Sequence, residues 1–296
     1  MKFRNIASIL IALALTFSNG CDSERLDQFV SFATAGSQYA QALHKVIADA
    51  GSAMIASDSA TLLVIRKQAG GGDPNAVTQN DRLLETYLDN LQKIDTHASL
   101  LGSYFSAISN LTNGKAASNT ATAATGLLDS INNFNPQIEK IAFAGKNIKD
   151  FVSPGTNLVV THFEVKILDE QLHKAAPTID QALALQEAAV TAIAEQMKAA
   201  LGASLEVRES TDVIVPYVNG PPANWNSNRE SFLRVKVTID SVDHARTAIS
   251  HLRLAFKQLL ENPRTSIDLS TLLGEIGKMA GYASALESSV PSKPAK

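Results

Sequence analysis

Cysteine occurs once in this chain, at Cys21, so no intramolecular disulfide framework can hold it together. Aromatic residues are also few, at 6% with a single tryptophan, Trp225, while Ala, Leu, Ile, Ser and Thr fill most positions between the charges. That is the composition of a helix bundle. Positive charge is not in excess: 26 Lys and Arg stand against 29 Asp and Glu. A binder of duplex nucleic acid needs clustered cations to displace counterions from phosphates, and these lysines are dispersed, so nucleic acid is not an expected partner. After the N-terminal segment no stretch is long and apolar enough to span a bilayer. Hydrophobic residues still make up 45% of 296 positions, which excludes a disordered chain.

The N-terminal segment is where the apolar residues concentrate. A charged start, Met1-Lys2-Phe3-Arg4-Asn5, precedes an apolar run from Ile6 to Phe17 and the small residues Ser18-Asn19-Gly20 before Cys21. This is the pattern of a secretory signal. Twelve apolar residues at ~1.5 Å rise reach about 18 Å, short of the roughly 30 Å hydrocarbon core, so an uncleaved span is disfavoured. Gly20-Cys21 resembles the lipobox of bacterial lipoproteins, although Ser18 and Asn19 depart from its usual leucine and small residue. The resemblance implies removal of residues 1–20, a lipid on Cys21 and a body facing the periplasm. It also implies that Asp22 favours retention in the inner membrane. An ordinary signal peptidase site after Gly20 is the competing reading. The position of the sole cysteine at the end of the signal favours the lipoprotein, and lipidation leaves no thiol exposed to oxidation.

Beyond the signal, apolar residues step by three and four along most of the chain, the seam of a helix packed lengthwise on another. One run extends from Leu26 through Phe29, Ala33, Gly36, Ala40, Leu43, Ile47 and Ala50 to Met54, and Gly70-Gly71-Gly72-Asp73-Pro74-Asn75 ends it. A second holds Leu84, Tyr87, Leu91, Ile94, Ala98, Leu101, Phe105 and Ile108. A third passes from Leu127 to Val152 by way of Ile131, Phe134, Ile138, Ile141, Gly145 and Ile148. The fourth and longest joins Leu158 to Ala200 through Val165, Leu172, Ala176, Ile179, Leu183, Val190, Ile193 and Met197, with a bend expected at Pro177. A fifth runs from Phe232 to Leu259 and a sixth from Leu269 to Leu286. The expected fold is all-α: an elongated up-and-down bundle of about six long helices with coiled-coil-like packing, a single domain over 21–290 with a disordered tail at 291–296.

Residues 206–228 interrupt the pattern with three of the ten prolines, Asn219-Gly220 and a β-prone stretch from Val213 to Val218. They read as a long irregular connection, with a small strand pair as an option. Val213, Ile214, Val215, Tyr217 and Trp225 sit there as candidate partner contacts, because aromatics in long ordered loops often anchor binding. The alternative is that Val213, Ile214, Val215 and Trp225 fold back and seal one end of the core.

Tests for chemistry return little. Glu170 and His173 have the Glu-x-x-His spacing of a bundle metal site, but no second pair completes it. His162 and Asp169 fall on the fourth seam seven residues apart, where buried polar groups need hydrogen-bond partners and commonly set helix register. His162, Asp169 and His173 therefore stand as candidate buried polar residues for a small ligand or metal. His244 and His251 could share a face but have no third ligand nearby, and read as surface residues. Gly114-Lys115 lacks the Ser or Thr and the first glycine of a phosphate loop. No nucleophile elbow or dinucleotide fingerprint is present. The sequence thus favours a lipid-anchored periplasmic scaffold or interaction protein, without catalytic activity or cofactor, attached to the membrane by its lipid and contacting an envelope protein. A membrane-active bundle and a small-ligand or metal-binding bundle are the competing readings.

Overall fold

The computed structural model describes residues 4–112, 142–143, 146–147, 165–261 and 267–288. Its helices are α1 (Arg4–Gln68), α2 (Pro74–Thr112), α3 (Val165–Arg208), α4 (Val215–Asn219), α5 (Trp225–Glu261) and α6 (Ser270–Ser288). A π-helical segment, Glu209–Ile214, joins α3 to α4. The architecture is a helical bundle, as the period of the apolar positions requires. Among the described residues no helix is long and apolar enough to cross a membrane.

The break expected at 70–75 is present and has identifiable causes. Gly70 takes φ of +69°, a conformation that costs glycine nothing, and the Gly71 N–H returns to the Arg66 carbonyl at 3.2 Å to close α1. Two residues on, the Asp73 carboxylate accepts from the Asn75 N–H at 2.9 Å and Pro74 occupies the first position of α2, so one short turn stops one helix and caps the next.

Polar contacts fix how the helices run. Ser37 meets Ser106 at 3.1 Å, His44 meets Asp95 at 2.7 Å, and Asn80 donates to Asp58 at 2.6 Å, so α1 and α2 are antiparallel. Arg25, about a third of the way along α1, donates to the Leu259 carbonyl at 2.6 Å, beside the end of α5. Arg253 reaches Asp180 at 2.8 Å, Lys198 reaches Asp243 at 2.5 Å and Arg208 donates to Ser231 at 3.2 Å, so α3 and α5 are antiparallel too. The C-terminal ends of α1 and α3 therefore meet the N-terminal ends of α2 and α5 at one end of the bundle.

The core follows the seams. Phe29, Leu43, Leu91, Ile94, Leu101, Phe105, Ile179, Leu183, Val190, Met197, Phe232, Val242, Ile249, Leu252, Phe256, Leu272 and Met279 are all buried. Phe32, Tyr39 and Val46 of α1 are buried as well, although they fall off its seam. The reason is that α1 packs against α2, α3, α5 and α6, and a helix surrounded by neighbours buries more than one stripe.

Two expectations need correction. Of the third seam run, 127–152, only four residues are described. They form not a helix but a two-residue antiparallel ladder, Ala142–Phe143 with Lys146–Asn147, in the register Ala142 to Asn147 and Phe143 to Lys146. The second correction concerns 206–228, which is helical through Asn219 and irregular only across Gly220–Asn224. β-branched residues cost a helix only a few tenths of a kcal/mol each, less than the hydrogen bonds gained by continuing α3. Pro216 has no N–H to give, and the preceding turn widens so that the Val215 N–H donates to the Ser210 carbonyl, five residues back. The remainder of the third run, and the tail 291–296, lie outside the described residues.

Candidate functional site

The end where α1 and α3 finish is unlike the rest of the surface. Along α1 the last buried residue is Ser57, and along α2 the first is Tyr87. No described side chain from Asp58 to Thr86 is buried, because α3 has given way to the π-helical segment and α5 has not begun. The α1–α2 tip consequently keeps its apolar residues but loses the helices that cover them. Leu62, Leu63, Ile65, Ala69, Ala76 and Val77 line a cleft of about 550 Å³ between the two helices, and Leu63 is 64% exposed.

The π-helical segment and α4 contribute a second apolar patch at the same end. Nothing in Glu209–Asn219 is buried. Tyr217 is 66% and Val218 73% exposed, with Ile214 and Val215 about half so. Trp225 is only partly exposed and acts as a pin. Its indole N–H donates to the Val213 carbonyl at 2.9 Å, its ring lies 5.5 Å from that of Tyr217, and the Arg229 guanidinium sits 5.7 Å from it. Of the five sequence candidates, then, Trp225 does the holding. Ile214, Val215 and Tyr217 face solvent, and Val213 is half-buried. The alternative that this stretch seals the core finds none of Val213, Ile214 and Val215 buried, and Trp225 only partly covered.

The two patches are not accidents of an apolar surface. Of the twelve most exposed large hydrophobic side chains among the described residues, eight belong to these two patches: Leu63, Ile65, Val77, Leu83, Ile214, Val215, Tyr217 and Val218. Clustered apolar exposure of this kind marks interaction sites, whereas scattered single residues need no explanation.

The remaining candidates are placed less favourably. Cys21 lies in α1 and Asp169 and His173 lie in α3, but their side chains are outside the described residues, as is all of His162. His244 and His251 do not form a pair. His244 instead joins Glu275 of α6 at 2.6 Å and stacks on Tyr282 at 5.6 Å. Burial acts to raise the Glu275 pKa, but bonds from Lys278 and His244 outweigh it and hold this carboxylate below its usual range. Among the described residues no group of His, Cys, Asp and Glu could hold a metal.

One polar cluster escaped the sequence reading. His97 of α2 and Gln186 of α3 are both buried, with Nδ1 2.5 Å from Oε1. The signal was available: Ile94, His97 and Leu101 step by three and four, as do Leu183, Gln186 and Val190, so each polar residue occupies a seam position. Burial pushes the His97 imidazole down to about 4, partly opposed by its bond to Gln186. Tyr39, also fully buried, has its phenol raised well above the usual range by burial and then by Glu187. Around them Arg253 ties Asp180 and Glu187 of α3 to α5, and the Asp180 bond raises its pKa further. His97, Gln186 and Tyr39 are sealed from solvent beneath the part-exposed Arg253 ion pairs, which suits a role in holding helices. Compared with protein-family models, curated proteins and solved structures, the chain matches none.

Proposed function

We propose that this chain is a lipid-anchored, non-catalytic interaction protein of the bacterial envelope that offers one end of its helical bundle to a protein partner. The observation that carries the reading is the gathering of eight of the twelve exposed large apolar side chains on the α1–α2 tip and the 214–218 segment. The anchor and the contact end suit opposite ends of the same helix. α1 contains Cys21 and runs on to Gln68, and at 1.5 Å per residue that separation is ~70 Å. An elongated bundle with coiled-coil-like packing is the shape such a reach calls for. The end carries charges of both signs, among them Arg66, Arg82, Asp73, Asp81, Glu209 and Asp212, and so lacks the cationic patch that draws a protein onto anionic lipid. This favours a protein partner over the bilayer itself.

Pull-down from native membranes tests the contact end. Leu63→Asp with Tyr217→Asp is expected to leave the melting temperature within a few degrees, since both side chains are mostly in water, and to lower partner recovery at least tenfold. Unchanged recovery by a folded variant refutes the assignment. Trp225→Ala serves as the contrast: loss of its half-buried ring and of the Val213 bond costs roughly 1.5–3 kcal/mol. Mass spectrometry of the mature N-terminus tests the anchor separately, with diacylglycerol and acyl mass expected on Cys21. An unmodified N-terminal cysteine identifies ordinary signal peptidase cleavage.

A further inference from the structure

We propose that the bare end of the bundle receives a second copy of this chain, joined across a two-fold axis so that the α1–α2 tip of each copy lies on the 209–219 segment of the other. The inference rests on that end being the contact surface and names what it contacts. The end is stepped. α1 continues about three turns, ~16 Å, past Ser57, the last of its described residues to be buried, and α2 accompanies it. Beside this projection α3 stops at Arg208, and the 209–219 segment packs on α3 and α5. One half of the end is therefore long and the other short.

A stepped end fits its own two-fold copy. The long half of each molecule comes to rest over the short half of the other, every contact is made twice, and the joint closes on itself at two copies. Up to Ser57 the α1–α2 pair is covered by α3 and α5, and beyond it the α1 and α2 of the other copy take that place. Leu63, Ile65, Val77 and Leu83, all exposed in the single chain, are covered in this way. The two copies run antiparallel, so the N-terminal ends of their α1 helices point away from each other.

Shape and charge are self-complementary as well. The cleft of about 550 Å³ between α1 and α2 is the hole, with Leu62, Leu63, Ile65, Ala69, Ala76 and Val77 around it. Tyr217 and Val218 are the knob. The Tyr217 ring is braced by Trp225, 5.5 Å away and itself fixed by its bond to the Val213 carbonyl, and a braced ring gives up little freedom on insertion. Glu209–Asn219 carries two acids, Glu209 and Asp212, and no lysine or arginine. The charged residues lining the cleft are Arg66 and Asp73, and Asp73 is occupied in capping α2 through Asn75. Asp212 is likewise tied to Arg208 at 3.6 Å. Arg66 of one copy thus meets Glu209 of the other, and opposite charges across a joint fix its register.

Photocrosslinking of the full chain in the producing cells separates the outcomes. With p-benzoylphenylalanine in place of Tyr217, irradiation is expected to give an adduct of twice the chain's mass, and peptide mapping to place the crosslink within 59–77 of the other copy. A crosslink to any other part of a second copy overturns the joint. An adduct with a different protein overturns the second copy but leaves the contact end standing, and no adduct overturns both. Sedimentation of the purified full chain in detergent reads the charge pairing. Arg66→Glu and Glu209→Lys each set like charges across the axis twice over, and each is expected to weaken the dimer about tenfold, whereas the double variant should regain it. Both side chains are exposed, so the fold is not at risk. A native chain that sediments as a monomer overturns the joint, as does a double variant that pairs no better than the single ones.

Discussion

Phe32→Ala is expected to remove roughly 3–5 kcal/mol of folding free energy, the range for deleting a fully buried aromatic. Phe32 is the ring through which three helices meet. It lies edge-on to Phe105 of α2, with centroids 5.5 Å apart, and stacks with Phe256 of α5 at 5.8 Å. All three rings are buried, and neighbours on three sides leave no simple collapse into the vacated space. Part of the loss is apolar area returned to water and part is the two ring contacts, each worth ~0.5–1.5 kcal/mol beyond area. Domains of ordinary stability hold only about 5–15 kcal/mol in reserve, so the variant should unfold at markedly lower urea. Chemical denaturation followed by circular dichroism measures the effect. A loss under 1.5 kcal/mol shows that these rings are not the centre of the core.

Gly36→Ala should also destabilise, by ~1–3 kcal/mol net, although the same change in an open helix stabilises by ~1 kcal/mol. A Cβ built on Gly36 falls 2.5 Å from Cδ2 of Phe105 and 2.7 Å from Cγ and Cε2. The Phe105 ring cannot step aside, because it is packed between Phe32 and Tyr104. Gly102 works the same way on the facing helix, its Cβ position lying 2.9 Å from the Ala40 Cβ. Backbone-close packing of α1 on α2 is thus built from paired small residues. Gly277→Ala is the control, with nothing within 4 Å of the added methyl on α6, and it should stabilise by about 0.5–1 kcal/mol. Thermal melts of the two variants are expected to move in opposite directions. Movement in the same direction means that helix propensity, rather than the α1–α2 approach, controls the response at Gly36.

Much of the core was legible because helix periodicity is a local property. Ile94, Leu101 and Phe105, or Val242, Ile249 and Phe256, are three or four residues apart whatever they later touch, and steps of that length put them on one face. The turn at Gly70–Asn75 was legible for a similar reason, since glycine and proline act on their own backbone. The reading of 206–219 as irregular failed because proline and β-branched residues were weighed one by one. A widened turn absorbs one missing N–H, and the rest of the segment then continues as helix.

His97 and Gln186 were overlooked at seam positions because neither interrupts its run. Ala98 offered an equally good apolar step beside His97, and Leu183 to Val190 reads as one heptad without Gln186. Their partnership joins residues 89 apart, and no spacing rule spans that distance.

By itself the sequence determined the helical class, most of the seam residues and the turn that reverses α1 into α2. Each depends on residues close together in the chain or on composition. Only the tertiary structure decided that α1 is central enough to bury Phe32 and Tyr39 off its seam. It also decided that cover over the α1–α2 hairpin stops at Ser57 and Tyr87, and that this bare tip shares one end with Tyr217 and Val218. Exposure is a difference between what a helix presents and what its neighbours cover. The second quantity depends on where α3 and α5 end in space, which the pattern along α1 and α2 does not contain.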